Sequence, residues 1–572
     1  MVSRVQRIRL LIFLLFAQVG LGVMILRILH IELNSQRLRE RSEKLFGEGY
    51  RVNVLRGRIV DRNGNELALN VEALSIFADP ARIDDPEEVA ARLSEALGLD
   101  KGKILEKLSR KGRRFVWVAR KLDISLMKPF LEVIRRHKIK GLGFRIEERR
   151  IYPKRKLLAQ ALGFVNFDGI GVDGLEKFYD EEIRCYQRSI PLFKGCITPD
   201  LNLPRYNSEL VLTVDEMIQY IAESELEEAC RRWMAAGGCV IVMNPKTGEV
   251  LAMASYPSFD LNEYGSTPES FKRNRAIWMC YEPGSVFKIV PVAAAIESGV
   301  LTPDSKVFCE NGELDFNGHI INDISPHGWL TVEEVVEKSS NIGAIKIARK
   351  LGRERFERFI RLFGFGQKTG IDLPYERIGN LRALKEWSDE AVLTFIPFGQ
   401  GITVTPIQML NALNVIASGG VMVRPHLAKE IRDSSGRVVR RFETQIVRRV
   451  ISRMTADKVK EMLVKVVESG TGVKARIEGV KVAGKTGTAQ KAGANGYSKD
   501  KYVATFAGFL PADDPRYSII VVIDEPKGEH KGGEVAAPVF KRIAERILKY
   551  ERMRFIFARR RADEAEGAAS RR

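Results

Sequence analysis

The stretch YEPGSVFKIVPVAAAI, residues 281–296, sets a serine and a lysine three positions apart at the head of an unbroken apolar run. Pro283-Gly284 marks a turn and Ile289 to Ile296 reads as a buried helix, so Ser285 falls in its first turn with Lys288 on the same face. A serine there sits near the positive end of the helix dipole, with its own N–H free to bind an oxyanion. Its hydroxyl is a weak nucleophile until a base takes the proton. Lys288 can do so only when neutral. Bringing a lysine from about 10.4 to about 7 is a bias of roughly 4–5 kcal/mol against its charge. Burial and a second cation nearby are the two means of achieving it.

Two further motifs follow downstream, Ser339-Ser340-Asn341 and Lys485-Thr486-Gly487-Thr488. The first follows a helical segment, Val332–Lys338, where capping is the ordinary reading; a hydroxyl and a carboxamide two apart could also relay a proton and hold an amide. The second follows the alternating Val480–Ala483, read as an edge strand. Its cation and hydroxyl suit a carboxylate, and Gly487 lets a ligand approach the backbone. Lys485 could be the cation that Lys288 needs. Other copies lack this setting: Ser125 lies in a basic segment, Ser498 in a Gly-rich loop, Lys246 in a hairpin turn and Lys368 in a surface loop. Residues 479–486, GVKVAGKT, satisfy the P-loop pattern, but the loop itself is strand-like and no helix is expected after it, so phosphate binding is rejected.

Working outward, residues 10–29 form one 20-residue apolar segment after Arg4, Arg7 and Arg9, long enough to span a bilayer as an uncleaved signal anchor. The expected organisation is a tail over 1–9, the anchor over 10–29, a pedestal of mixed structure over 30–205, a catalytic domain over 206–550 and a disordered tail over 551–572. In the catalytic part, Asp215–Trp233 reads as a long helix and Gly238–Met243 with Glu249–Ala254 as a hairpin. Val503–Leu510 and Tyr517–Ile523 read as a second strand pair, with a largely helical stretch from Ser285 to Ser469 between the two pairs. The 92 Lys+Arg against 73 Asp+Glu leave +19. Most of that excess sits between Lys101 and Lys156, where 20 basic residues face 5 acidic ones. Such a face suits anionic lipid, an acidic polymer or nucleic acid. The six Cys include no CxxC pair and the six His no HExxH, so neither a metal nor another cofactor is expected. The thiols read as buried and free, although Cys185/Cys196 and Cys230/Cys239 are spaced to close short loops.

The three motifs, in this order, resemble the active-site set of penicillin-recognising serine enzymes. The wording around them is more specific. Residues 281–288 (YEPGSVFK), 252–257 (AMASYP), 399–408 (GQGITVTPIQ) and 484–490 (GKTGTAQ) look like class B penicillin-binding proteins, as do 56–64 (RGRIVDRNG), 147–153 (EERRIYP) and 171–176 (GVDGLE) in the pedestal. Trp387-Ser388-Asp389 and residues 399–408 look more like the division, FtsI-like branch than the elongation branch.

The resemblance implies an α+β fold: a single N-terminal transmembrane helix, a mixed pedestal, and a transpeptidase domain of mainly antiparallel sheet flanked by helices, with an all-helical subdomain. It implies that Ser285 attacks the D-Ala–D-Ala amide of a peptidoglycan stem peptide, with Lys288 as base and Ser339 passing a proton to the leaving amine. Asn341 would hold the substrate amide, Lys485 and Thr486 its carboxylate beside Gly487, and the N–H groups of Ser285 and Thr488 the oxyanion. Beta-lactams would acylate Ser285. Val286 stands where Thr is common in the class, a change of packing more than of chemistry. The implied partners are lipid-linked wall precursor, a SEDS-type (FtsW-like) glycosyltransferase and divisome regulators, with no nucleic acid. The implied location is the bacterial inner membrane, single-pass, with the catalytic domain outside the cytoplasm. An elongation-type transpeptidase, a D,D-carboxypeptidase and a beta-lactam sensor share the motifs and stay open as alternatives.

Overall fold

The computed structural model describes residues 18, 21, 22, 24, 25, 27, 50–110, 112–184, 186–190, 208–493 and 496–569. The chain divides into two compact units. In the first, Met1–Leu55 with Cys185–Asn207, the strands Tyr50–Val54 and Tyr186–Ile190 pair antiparallel. The expected anchor over 10–29 lies almost wholly outside the described residues; those described within it are helical. Among the described residues no helix is long and apolar enough to cross a membrane.

The second unit, Arg56–Arg184 with Ser208–Arg572, is built on a five-stranded antiparallel sheet. Its strands are β1 (Gly237–Met243), β2 (Val250–Tyr256), β3 (Ala483–Gly493), β4 (Gly496–Leu510) and β5 (Tyr517–Asp524), in the order β3-β4-β5-β1-β2. Every residue of β1 is buried, because both faces of the sheet are covered. Cys239, Ile241 and Met243 enter one core with Val290, Ile347 and Leu410; Val240 and Val242 enter another with Ile218, Phe506 and Phe540. That is the two-residue period of a strand dividing its side chains between two layers. The covering helices include α1 (Glu216–Arg232), α2 (Ile289–Glu297), α3 (Val332–Lys338), α4 (Asn341–Leu351), α5 (Pro406–Ala417), α6 (Arg453–Glu468) and α7 (Ala537–Ala569). Asp215 caps α1 by accepting the N–H groups of Met217 and Ile218.

Two expectations need correction. The stretch from Ser285 to Ser469, expected as largely helical, is interrupted by four antiparallel strand pairs, among them Glu313–Phe316 with His319–Asn322. Residues 551–569, expected as a disordered tail, continue α7. The segment 551–566 contains no Gly or Pro and is rich in good helix formers, so nothing stops a helix already stabilised by packing. Glu551 accepts from the Tyr517 hydroxyl, and Arg554 reaches Asp215 at 3.2 Å and Asn63 at 3.1 Å. Cys230, Cys239 and Cys309 are buried free thiols, as is the half-buried Cys280 free, while Cys185 and Cys196 lie outside the described residues.

One sheet draws strands from both the pedestal and the catalytic part. This second, seven-stranded sheet includes Glu66–Ala78, Val116–Asp123 and Leu142–Ile151 from the pedestal side and Ser208–Leu212 and Ala428–Asp433 from the catalytic side. They join where Arg58–Val60 runs parallel to Ser208–Leu212. Beside that junction the three pedestal motifs converge. Arg56, buried, donates to Glu176 at 2.8 Å and to Asp180 at 2.6 Å; Arg150 donates to the other Glu176 oxygen at 2.7 Å, and the Tyr152 hydroxyl stands 3.4 Å from it. The basic stretch is therefore not all free charge, since Arg150 is committed here and Arg120 pairs with Glu147.

Removing one partner of a buried ion pair strands the other, at a cost of about 3–5 kcal/mol. Arg56→Leu is expected to destabilise the full-length protein by that order in urea denaturation. Arg92→Ala, which loses only the exposed pair with Glu88, is expected to cost no more than about 0.5 kcal/mol.

Candidate active site

Ser285 and Lys288 lie in a 3₁₀ turn, Gly284–Lys288, that leads directly into α2. With three residues per turn, positions i and i+3 eclipse, which sets Ser285 and Lys288 on one face of the turn. Val286 and Phe287 are buried beneath the turn, Phe287 against Phe365 with ring centroids 5.1 Å apart. The 399–408 stretch braces it. Tyr281 and Val404 exchange backbone hydrogen bonds of 3.0 and 2.9 Å, and the Gly284 N–H donates to Gly399 O at 3.3 Å. Gly399 has φ +82°, and a Cβ there would lie 2.3 Å from the Gly284 carbonyl oxygen, so both conformation and space require glycine.

The second motif divides its work between capping and the site. Ser339 ends α3 in the left-handed region, φ 61°, and Ser340 caps α4 by accepting the Gly343 N–H at 2.8 Å. Asp323, just after the hairpin that sequence reading missed, accepts the Asn341 N–H at 2.5 Å, the Ile342 N–H at 3.1 Å and the Ser340 hydroxyl. An anion at a helix N-terminus is favourable, and it fixes the serine-serine-asparagine corner. The Asn341 side chain donates to Asn322 O at 2.9 Å, which turns its carbonyl oxygen toward Lys288.

The third motif lies within an edge strand rather than after one. The expected strand over 480–483 starts only at Ala483 and continues to Gly493, so Lys485 to Thr488 pair with Ala507 to Ala504 of β4. A strand where a P-loop would need a helix upholds the rejection of phosphate binding. Gly487 passes over the serine turn: a Cβ on it would stand 2.7 Å from the Val286 side chain and 3.0 Å from Pro283 O. The Thr488 carbonyl lies 3.1 Å from the ideal Cβ position of Gly284. In a strand a residue's C=O and N–H share one side, so the Thr488 N–H faces the same open edge. Thr486 Oγ1 contacts Thr471 Oγ1 at 2.8 Å, and Thr488 Oγ1 accepts the Gly532 N–H at 3.0 Å.

All three segments meet at one hydroxyl. Lys485 Nζ lies 2.8 Å from Ser339 Oγ, and Lys288 Nζ lies 3.3 Å from the same oxygen, 2.5 Å from Ser339 O and 2.8 Å from Asn341 Oδ1. Both lysines are fully buried. Burial drives the Lys288 amine well below the ordinary lysine range, and Lys485 pushes the same way against an opposing pull from Asp323. Burial also brings Lys485 down to about 7. A neutral Lys288 has two N–H groups, which the Ser339 carbonyl and Asn341 Oδ1 accept, and one lone pair left to take a hydroxyl proton. A half-buried serine one 3₁₀ turn away, a neutral amine and an adjacent cation make an acyl-transfer constellation.

The comparisons agree with this geometry. Residues 238–545 match the model of the penicillin binding protein transpeptidase domain, and residues 51–188 that of the penicillin-binding protein dimerisation domain. The chain belongs to the class B penicillin-binding proteins, a family of serine-type D,D-transpeptidases. It is 34% identical to stage V sporulation protein D of Bacillus subtilis over 93% of this chain and 84% of that one. It is 33% identical to the peptidoglycan D,D-transpeptidase FtsI of Escherichia coli K12 over 87% and 84%. The solved structure of penicillin binding protein 3 from Mycobacterium tuberculosis, complexed with aztreonam, superposes with a TM-score of 0.68 at 30% identity, covering 88% of this chain and 97% of that one.

Among the site residues named from sequence, Lys288, Ser339, Asn341 and Lys485 are joined by direct hydrogen bonds, with Ser285, Gly487 and Thr488 on the adjoining turn and edge. The decoys stay apart: Lys246 pairs with Asp514 in its hairpin, and Ser498 lies in β4, not in a loop, bonded to Asp500. Sequence reading missed Asp323, Asn322, Thr471 and Gly532. Thr405 and Gln408 form a capping box at the head of α5, a T-x-x-Q signal that was available. Gly399→Ala is expected to displace the serine turn and slow penicillin acylation at least about 100-fold. Gly436→Ala, with similar φ but open space around it, is expected to leave the acylation rate unchanged.

Proposed function

We propose that this protein cross-links peptidoglycan stem peptides through an acyl-enzyme on Ser285, in septal wall synthesis. The observation that carries the reading is the Ser339 hydroxyl shared by two buried lysines, one of them poised as a neutral base. Ser285 Oγ attacks the carbonyl carbon of the penultimate D-Ala while Lys288 takes its proton. The N–H groups of Ser285 and Thr488 stabilise the oxyanion. Collapse breaks the peptide bond, Ser339 gives its proton to the departing D-Ala amine, and Lys485 restores it. An amine from a second stem then attacks the ester and loses its proton through Ser339 to Lys485, while Lys288 returns to Ser285 the proton it took. Asn341 orients the substrate amide, while Lys485, with Thr486, Gly487 and Thr488, receives the terminal carboxylate.

The same reading makes residues 10–29 the membrane anchor, with 1–9 inside and the pedestal (30–205) and catalytic domain (206–550) outside, where the wall lies. A SEDS-type, FtsW-like glycosyltransferase supplies glycan from lipid-linked precursor, and divisome regulators are further partners. The unpaired part of the Lys101–Lys156 charge faces lipid head groups, wall carboxylates or acidic partners. Trp387-Ser388-Asp389, the 399–408 wording and the FtsI relative favour division over elongation. Depleting the protein separates the two: filamentation supports a septal role, whereas rounding or bulging points to elongation.

Fluorescent penicillin is expected to leave a covalent band on the wild type and none on Ser285→Ala; a band that survives the substitution places the nucleophile elsewhere. The rate of acylation against pH is expected to be bell-shaped. It falls at acid pH as Lys288 gains a proton, and at alkaline pH as Lys485, near 7, loses the charge that holds the carboxylate. Asp323 raises the Lys288 pKa, so Asp323→Asn is expected to move the acid limb to lower pH while reducing the maximal rate. Lys485→Arg stays protonated and is expected to carry the alkaline limb upward.

A further inference from the structure

Where β3 continues past Thr488 it lines a cavity of about 570 Å³, within the range of sites that take small ligands. One wall is Tyr281 and Glu282, just before the serine turn, and the other is Ala489 and Gln490, just after the Lys485–Thr488 motif. The cavity therefore adjoins both the serine turn and the Lys485–Thr488 motif. Four cations line it: Arg273, Arg275, Arg377 and Lys491. Two of them are neutralised locally, since Arg275 pairs with Asp524 at 3.1 Å and Lys491 pairs with Asp524 at 3.0 Å and Glu525 at 2.7 Å.

The other two are not. Arg273 and Arg377 both pack over the Trp278 ring, each guanidinium carbon 4.2 Å from the ring centroid, and among the described residues neither has a carboxylate partner. Holding two like charges around one ring without an anion is unfavourable, and the indole offsets only part of that cost. The pair is also pre-positioned. The Arg377 N–H donates to Ile277 O at 3.0 Å, and Asn380 bridges Thr403 nearby. A second cavity of about 410 Å³ shares Arg273, Trp278 and Arg377, so the two guanidiniums form the partition between two openings. In the first cavity Glu282 Oε2 is enclosed without a hydrogen-bond partner, a place for a ligand N–H beside the anion.

We propose that Arg273 and Arg377, braced on Trp278, form a subsite for a carboxylate of the donor peptide upstream of the D-Ala that becomes esterified to Ser285. This inference rests on the acyl-enzyme reading above and adds to it a determinant of substrate choice. Guanidinium forks match carboxylates bidentately, and the groove delivers a peptide there only if its reacting end already lies at Ser285. The acyl side chain of benzylpenicillin carries no carboxylate and so makes no use of the two guanidiniums.

The test uses full-length protein and two thioester peptides that acylate as D-Ala donors, one with a free carboxylate upstream of the reacting D-Ala and one with a carboxamide there. Acylation of Ser285 is followed by intact mass. Wild type is expected to prefer the carboxylate probe by about ten-fold or more in acylation rate. Arg273→Gln and Arg377→Gln are each expected to shrink that preference toward about two-fold, while benzylpenicillin acylation stays within about two-fold of wild type. Equal wild-type rates with the two probes overturn the inference without any variant. So do variants that keep the full preference, and so does an unchanged acylation preference with a loss only in transfer to an added amine, which would make this the acceptor's site. Absence of a penicillin ester on wild-type Ser285 overturns the reading of the nucleophile itself, and this subsite with it.

Discussion

Two amines held around one serine hydroxyl, sealed from water, set the terms for the rest of the structure. Ammonium groups at such distances in a medium of low dielectric repel strongly, and burial penalises each charge on its own. The site therefore favours a state in which Lys288 is neutral and Lys485 holds the proton. That asymmetry depends on position: burial penalises both amines, and the Lys485 charge lowers Lys288 further, whereas burial alone acts on Lys485. Displacement of any of the three chain segments would dissolve the difference between base and cation.

Each segment is accordingly held from outside the site. Gly399 lets the 399–408 stretch close on the serine turn, and Gly487 lets the edge strand pass over Val286. Asp323 ties three consecutive positions at the head of α4. None of these residues needs to touch substrate. They fix the geometry that makes an ordinary hydroxyl reactive, and the sheet beneath them, buried on both faces, gives them a rigid base.

The pedestal follows the same principle on a larger scale. Arg56, Arg150 and Glu176 are drawn from three separate motifs, Asp180 follows the last of them, and their burial is tolerable only because each charge finds a partner. That network lies beside the strand pairing that carries one sheet from the pedestal into the catalytic part. The boundary expected near residue 205 lies between the two matched domains, and the sheet bridges it. The limits of local patterning explain two misreadings. Val480–Ala483 alternates like a strand, but the pairing with β4 begins at Ala483 and carries Gly-rich sequence onward as strand. An Arg-, Ala- and Glu-rich tail extends a helix already packed against the sheet.

The sequence by itself determined which chemical groups are present and their local spacing: a serine and a lysine three apart ahead of an apolar helix, a serine-serine-asparagine corner, a lysine beside a glycine on a strand. These are short-range facts, carried by periodicity, turn residues and wording. Tertiary structure decided that residues 51 and 146 positions apart would meet at one oxygen, and that Asp323 would stand behind them. It also decided their protonation. Whether a lysine is a base or a cation depends on the water removed around it and the charges brought near, and those are set only when distant segments pack together.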